Sequence, residues 1–335
     1  MMRLKGCGMK KVFFFFGSVV LLLLCFLLMS PAAALAQAKS GGATYVGADT
    51  CKGCHEDRFK QYTLSVHGKK AVPGNPFNRE GCESCHGPGS LHVDNGGGKG
   101  VGGLITFSKS ERADVKAAVC LTCHENSTQL AEWDSGMHKK MDVACSDCHT
   151  LHGPPKPVAG YGTTLAGLGY SPMWEYGACG KCHLDVKAQF NRRAHHPLVE
   201  GRITCSSCHQ PHGNMNPSMI KAPSVNQLCY TCHAEKRGPY MFEHPPVDEN
   251  CAACHTPHGS VHQWLLVEKM PNLCQNCHDQ SHQATRYSRE TLPTGRSPAI
   301  ESVSRSCLNC HVNIHGSNGS SNPANGFNSG AYFFR

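Results

Sequence analysis

The chain has 335 residues, 22 cysteines and 22 histidines, and only 17% of its residues are charged. Its formal charge of +8 includes four basic residues in the first eleven positions, so 28 bases face 24 acids beyond them, a balance too even to imply nucleic-acid binding. From residue 39 onward Leu, Ile, Val and Phe number 46 of 297, a proportion that excludes an ordinary aliphatic core.

The first predicted element is a leader. Arg3, Lys5, Lys10 and Lys11 precede the apolar run "VFFFFGSVVLLLLCFLLM" and the stretch "SPAAALAQA". This layout predicts a secretory signal peptide over residues 1–38, with cleavage near Ala36 or Ala38. The run is long for a signal, and an uncleaved membrane anchor is the alternative reading. Cys25 follows Leu24, where a lipidation site wants a small residue. Cys7 and Cys25 go with the leader, leaving 20 cysteines.

All 20 fall in ten C-x-x-C-H motifs whose starts are 22 to 38 residues apart. In chain order the pairs are Cys51/Cys54, Cys82/Cys85, Cys120/Cys123, Cys145/Cys148, Cys179/Cys182, Cys205/Cys208, Cys229/Cys232, Cys251/Cys254, Cys274/Cys277 and Cys307/Cys310. The histidines that close them are His55, His86, His124, His149, His183, His209, His233, His255, His278 and His311. A disulfide framework gives no reason for a histidine after every second cysteine. Zinc ribbons would leave most of those histidines idle, and a thioredoxin-like site would occur once. Covalent haem c attachment uses every residue: two thiols bond the vinyl groups and the adjacent His lies under the iron. Ten covalently bound haems would also supply the apolar bulk that the aliphatic residues do not, and would organise the fold as metals organise small domains. Their propionates would bring the net charge to roughly −6 in the oxidised form, so Lys and Arg are expected to partner propionates.

Twelve histidines remain, and ten recur at fixed places. The unit is C-x-x-C-H, a free His, then a second C-x-x-C-H followed by another His, and it repeats as five dihaem modules over about 51–92, 120–152, 179–212, 229–258 and 274–315. The free histidines are His67/His92, His138/His152, His196/His212, His244/His258 and His282/His315, which are expected to be distal ligands that make all ten irons bis-His. His152, His212 and His258 stand three residues after a proximal His, too close to cross to the same iron, and are expected to serve a neighbouring haem. His195 and His262 are surplus. Glycine follows five of the ten, which suggests close backbone approach.

Between motifs there is space for short helices only. Ser108, three before Glu111, predicts a capped helix running into Cys120, and "LDVKAQFNRRAHH" reads as another. "NGGGKGVGG", "GPPKPVAGYGTTLAGLGYSP" and the flexible tail 316–335 read as loop. The expected fold class is a multihaem cytochrome c, mostly coil with short α-helices and little or no β, forming one extended haem-wire body over 39–335.

The stretches "CHGPGSLH", "LITFSK", "VACSDCHTLHG", "TCSSCHQPHG", "KAPSVNQLCYTCHAEKRGP", "EHPPVDENCAACHTPHGSV" and "RSCLNCHVNIHGSN" resemble the MtrA/DmsE family of periplasmic decahaem c-type cytochromes. The resemblance implies a wire of bis-His haems in the periplasm, associated with the outer membrane. Its implied partners are an outer-membrane β-barrel porin around it, an extracellular multihaem cytochrome and a periplasmic or inner-membrane cytochrome donor. It selects His196 over His195. The Gly/Pro-rich stretch near 154–175 and the ending "AYFFR" depart from the family pattern. The expected function is electron transfer between periplasm and outer surface, with no catalytic residues. A soluble periplasmic shuttle and a multihaem reductase of a nitrogen or sulfur oxyanion are the alternatives.

Overall fold

The computed structural model describes residues 42–153, 172–278, 306–309, 311–319 and 333. The leader, the loop from 154 to 171, His282, Cys310 and most of the tail lie outside the described residues.

Among the described residues, thirteen short α-helices and several single 3₁₀ turns are joined by coil. In chain order the helices are α1 (Ala48–Cys54), α2 (Glu56–Leu64), α3 (Glu83–His86), α4 (Ser90–Asp94), α5 (Ala113–His124), α6 (Met137–Lys140), α7 (Cys145–Cys148), α8 (Pro172–Cys179), α9 (Leu184–Phe190), α10 (Cys205–Cys208), α11 (Val225–Tyr230), α12 (Pro245–Glu249) and α13 (Asn272–Gln275). The longest has 12 residues. Frequent glycine and proline interrupt the runs of good helix formers, and short helices without a large packed face are marginal alone. Among the described residues β-structure is confined to four isolated bridges, so the expected fold class holds. No described helix is long and apolar enough to cross a membrane.

Two helix expectations are corrected. The helix before Cys120 begins at Ala113 after Arg112, not at Ser108. Ser108 is engaged in a turn: its carbonyl accepts from the Glu111 N–H at 3.2 Å and its hydroxyl pairs with Ser110 at 2.8 Å. The second helix stops at Phe190, where Asn191 donates its side-chain amide to the Lys187 carbonyl at 3.0 Å and caps one of the helix's terminal acceptors.

Contacts gather the chain into two compact units, 1–125 with 142–154, and 126–141 with 155–335. The first contains buried Tyr62, Ala117 and Ala144, and the second Trp133, Phe190, Leu198 and Leu266. Tyr62 stacks on Phe77 and donates to the His67 carbonyl at 2.9 Å. These few side chains are too small a core for either unit, as the composition required.

Candidate haem-binding site

Each C-x-x-C-H forms one α-turn. The His N–H donates to the carbonyl of the first cysteine four residues back, at 2.9 Å for His55, 2.8 Å for His149, 3.0 Å for His209 and 2.9 Å for His278. Positions i, i+3 and i+4 share one helix face, so the turn aims both thiols and the imidazole at one place. That explains the two-residue spacer locally.

Among the described residues, eight histidine pairs face one another at the distances that follow. Their ring centroids are 6.2 Å apart for His55–His92, 6.1 Å for His67–His124, 5.9 Å for His86–His152 and 6.3 Å for His138–His183. The values are 6.2 Å for His196–His233, 6.1 Å for His209–His258, 6.2 Å for His244–His278 and 6.2 Å for His255–His315. A metal–imidazole bond is about 2 Å, and the ligating nitrogen lies roughly 1 Å from its ring centre, so two rings on one metal have centroids about 6 Å apart. The gap fits one iron held from both sides. Among the described residues no group of three or more His, Cys, Asp or Glu converges as a bare metal ion would need. The donor set therefore fits haem and not zinc.

In every pair one ring is a motif histidine and the other a free one. Most pairs skip a motif. His67, His138, His196 and His244 each face the motif two places downstream of the one they follow, and His152, His258 and His315 face the motif two places upstream of their own. His152 and His258, each three residues after a motif histidine, thus face sites two motifs upstream of their own. His92 alone turns back to the preceding motif. His212 lies by the Gln129 carbonyl.

Carbonyl groups fix the rings. Nδ1 of His86 lies 2.6 Å from the Ile105 oxygen, that of His209 2.8 Å from Ser218, and that of His255 2.7 Å from Trp264. His92, His138 and His196 are held by Val101 at 3.1 Å, Pro211 at 2.8 Å and Pro257 at 2.6 Å. With the proton on Nδ1, Nε2 keeps its lone pair for a metal. His244 Nδ1 is buried without a hydrogen bond of normal geometry, though the Ile314 carbonyl is its polar neighbour. Burial holds His67, His86, His152, His244, His258 and His315 below the ordinary imidazole range, favouring the neutral form that ligates. His195 is turned elsewhere: its ring bonds Arg192 and Glu200.

Two of these carbonyls sit on strained backbone. Ser218 and Met219 have φ of 53° and 52°, and Trp264 and Leu265 have φ of 55° and 60°. Non-glycine residues adopt this region at a cost, and such strain collects where a function over-determines the chain. Sequence reasoning missed these carbonyl acceptors. Their signal was the match of "CHQPHGNMNPSMIK" to "CHTPHGSVHQWLLV", 46 residues apart. The glycine after the free histidine also has a cause the reading did not identify. A Cβ on Gly259 would strike the Gln189 carbonyl, and one on Gly213, at φ 116°, would strike that of Glu132. Here the backbone approach is to protein chain.

The thiols connect the motifs in order. First cysteines meet as Cys51–Cys82, Cys120–Cys145, Cys179–Cys205, Cys229–Cys251 and Cys274–Cys307. Second cysteines approach as Cys85–Cys123, Cys208–Cys232 and Cys254–Cys277. Motifs one to four in the first unit and five to ten in the second are thus each linked without a gap. Burial raises Cys51 to about 11 and Cys274 to about 12, while a hydrogen bond from Cys120 lowers Cys145 to about 7.

Cys182, like the other nineteen expected to be an attachment thiol, is exposed, as are Cys54, Cys123, Cys232 and Cys277. Its motif opens the second unit as that of Cys54 opens the first, and its turn is formed. The Cys182 N–H donates to the Cys179 carbonyl at 3.2 Å, the His183 N–H donates to the same carbonyl at 3.0 Å, and the Cys182 carbonyl accepts from the Leu184 N–H at 3.0 Å.

A family model described as a cytochrome c-type protein, NrfB-like, matches residues 82–165, and one for a doubled CXXCH motif matches residues 195–238 and 244–283. Multiheme cytochrome MtrA of Shewanella baltica (strain OS185) is 41% identical over 278 residues, which cover 81% of this chain and 79% of that protein. C-type polyheme cytochrome OmcB of Geobacter sulfurreducens, in strains DL-1 / KN400 and ATCC 51573 / DSM 12127 / PCA, is 26% identical over 224 residues, 58% of this chain and 26% of OmcB.

Proposed function

Because the chain belongs to the MtrA family of multihaem c-type cytochromes, and is therefore an electron-transfer protein that binds haem c through its C-x-x-C-H motifs, we propose that it carries ten haems as one continuous conductor across the outer membrane. Haem c, when bound, supplies a one-electron iron couple whose potential bis-His ligation keeps low. The chain's own part is positional. The twenty motif cysteines would hold the haems, the ten motif histidines would be proximal ligands, and the ten module histidines distal ones. The Nδ1 carbonyls lock the imidazoles of His86, His92, His138, His196, His209 and His255 in the ligating tautomer.

The observation that carries this reading is the alternating meeting of thiols, first cysteine to first and then second to second. It sets successive attachment points side by side, and close spacing is what electron transfer through fixed centres requires. A soluble shuttle needs one or two such centres. Ten make sense across a fixed span such as the membrane's hydrocarbon layer, about 30 Å thick. Coil this rich in backbone polar groups cannot face lipid, so the partner is a closed β-barrel porin. An extracellular multihaem cytochrome and a periplasmic or inner-membrane cytochrome occupy the two ends. A cleaved leader would deliver the mature chain to the periplasm.

Reconstitution in liposomes with an enclosed redox dye and an external reductant tests this. Cytochrome with its barrel is expected to move electrons far faster than barrel alone. Equal rates would end the conduit reading and leave the periplasmic shuttle.

A further inference from the structure

At four junctions between paired motifs, polar side chains from outside the haem-binding set close the contact, and they differ in charge. At the junction of Cys51 and Cys82, Glu83 is 3% exposed. Its carboxylate accepts from the N–H groups of Val46 at 3.0 Å, Gly47 at 2.8 Å and Gly89 at 2.7 Å. All its partners are donors, as an ionised carboxylate requires. At the junction of Cys120 and Cys145, Asp147 accepts from the Ala144 N–H at 2.8 Å, and buried Lys116 lies 3.5 Å from its other oxygen. At the junction of Cys179 and Cys205, Glu175 accepts from the Ser206 N–H at 2.7 Å and hydroxyl at 2.6 Å. At the junction of Cys229 and Cys251, the place is taken by an amide. Asn226 donates to the Val247 and Asp248 carbonyls at 2.9 and 2.8 Å and accepts from the Cys251 N–H at 2.7 Å.

Lys116 and Glu175 each stand four residues before the first cysteine of an odd motif, and Asn226 stands three before. Gly47, four before Cys51, meets Glu83 there. The same structural need, fastening the odd-motif segment to the even motif, is met by a bare anion, an ion pair, a second anion and a neutral group in turn. Fields of the carboxylates reach the thiols, each disfavouring the thiolate beside it: Glu83 at Cys51 and Cys82, Asp147 at Cys145, and Glu175 at Cys179 and Cys205.

We propose that these junction side chains set the order of reduction along the chain. The uncompensated carboxylates of Glu83 and Glu175 hold the first and third junctions at lower potential than the second, where Lys116 neutralises Asp147, and the fourth, where Asn226 carries no charge. Reduction adds one electron at a site, and a fixed negative charge in a partly buried, low-dielectric setting opposes it. The proposal rests on the ten-haem reading above.

Sign is the test. Purified holoprotein is titrated by optical spectroelectrochemistry, with mediators, from fully oxidised to fully reduced. Glu83→Gln and Glu175→Gln are expected to move part of the reduction curve to higher potential. Asn226→Asp, and Lys116→Met, which uncovers Asp147, are expected to move part of it to lower potential. Loss of packing alone gives no reason for opposite signs. If substitutions of both kinds leave the curve in place, or shift it the same way, the proposal is wrong. Should Glu83→Gln fail to accumulate, the other three variants decide the matter. Intact mass and electron paramagnetic resonance of the unaltered protein separate the two levels. Ten haems and low-spin signals with unmoved curves sink the proposal alone, and a lower haem count sinks both.

Discussion

The loop that returns from His86 to Ile105 and the loop that returns from His209 to Ser218 bring a carbonyl to the same atom, Nδ1 of a motif histidine, at 2.6 and 2.8 Å. They do so across 19 and 9 residues of separation. The short loop has its near copy in His255 to Trp264, also 9 residues, and all three place non-glycine residues at positive φ close to the delivered carbonyl: Phe107, Ser218 and Trp264. The longer loop differs in what it carries between. It contains α4 with His92, whose ring faces His55 at 6.2 Å, and a glycine-rich return in which a side chain on Gly102 would collide with the His92 backbone. The odd motifs from Cys120 to Cys274 face a histidine from two motifs upstream. The first motif has no such upstream segment, and the expanded loop supplies its partner from behind. What is fixed across these loops is delivery of a carbonyl, and length is free to vary with a second task.

Removing haem should break the comparison altogether. Neither unit has a core able to hold it, so chain produced without covalent haem is expected to give a coil-like circular dichroism spectrum and rapid proteolysis throughout. A protease-resistant fragment from either unit would contradict this. Next in size is the effect of the two loops' contents. His92→Gly is expected to convert the site at His55 to high spin, and His258→Gly the site at His209, each as one stoichiometric signal in electron paramagnetic resonance. Replacing residues 87–104 by the sequence of residues 210–217 should act as His92→Gly does while leaving the site at His86 low-spin. A third prediction probes the crossing under the short loops. Gly259→Ala drives a methyl into the Gln189 carbonyl and should cost about 1–3 kcal/mol of stability, seen as a lowered thermal midpoint. Gly53→Ala, where a Cβ meets nothing within 4 Å, should leave it near the parent value. The smallest effect is a gain: Ser218→Gly relieves a left-handed backbone and should stabilise by about 1 kcal/mol. A loss would mean the geometry at Ser218 is not strained.

The motifs made the chemistry legible because attachment is local: thiol, thiol and imidazole lie within one helical turn. The scarcity of Leu and Ile likewise made short helices and coil the expected fold. Pairing was not legible. A histidine three residues past His255 suggests a site nearby in sequence, yet His258 faces His209, because so short a tether cannot cross to the far side of its own site. The helix before Cys120 was misplaced for a different reason. Ser108 and Glu111 satisfy a capping pattern, but the hydroxyls of Ser108 and Ser110 bond each other and the helix waits for Ala113. The junction residues were invisible for yet another reason: Glu83, Asp147, Glu175 and Asn226 share a place in space and no common side chain.

The skipping of motifs has a consequence in time. A chain emerging amino end first presents His67 before Cys120, His138 before Cys179, His196 before Cys229 and His244 before Cys274. Those sites can close as soon as their motif appears. The sites at His86, His209 and His255 must wait for His152, His258 and His315, leaving one face uncovered while dozens more residues follow. Completion therefore alternates along the chain, and a chain cut short near residue 250 would leave His209 without His258 while the sites at His124, His183 and His233 already had both histidines.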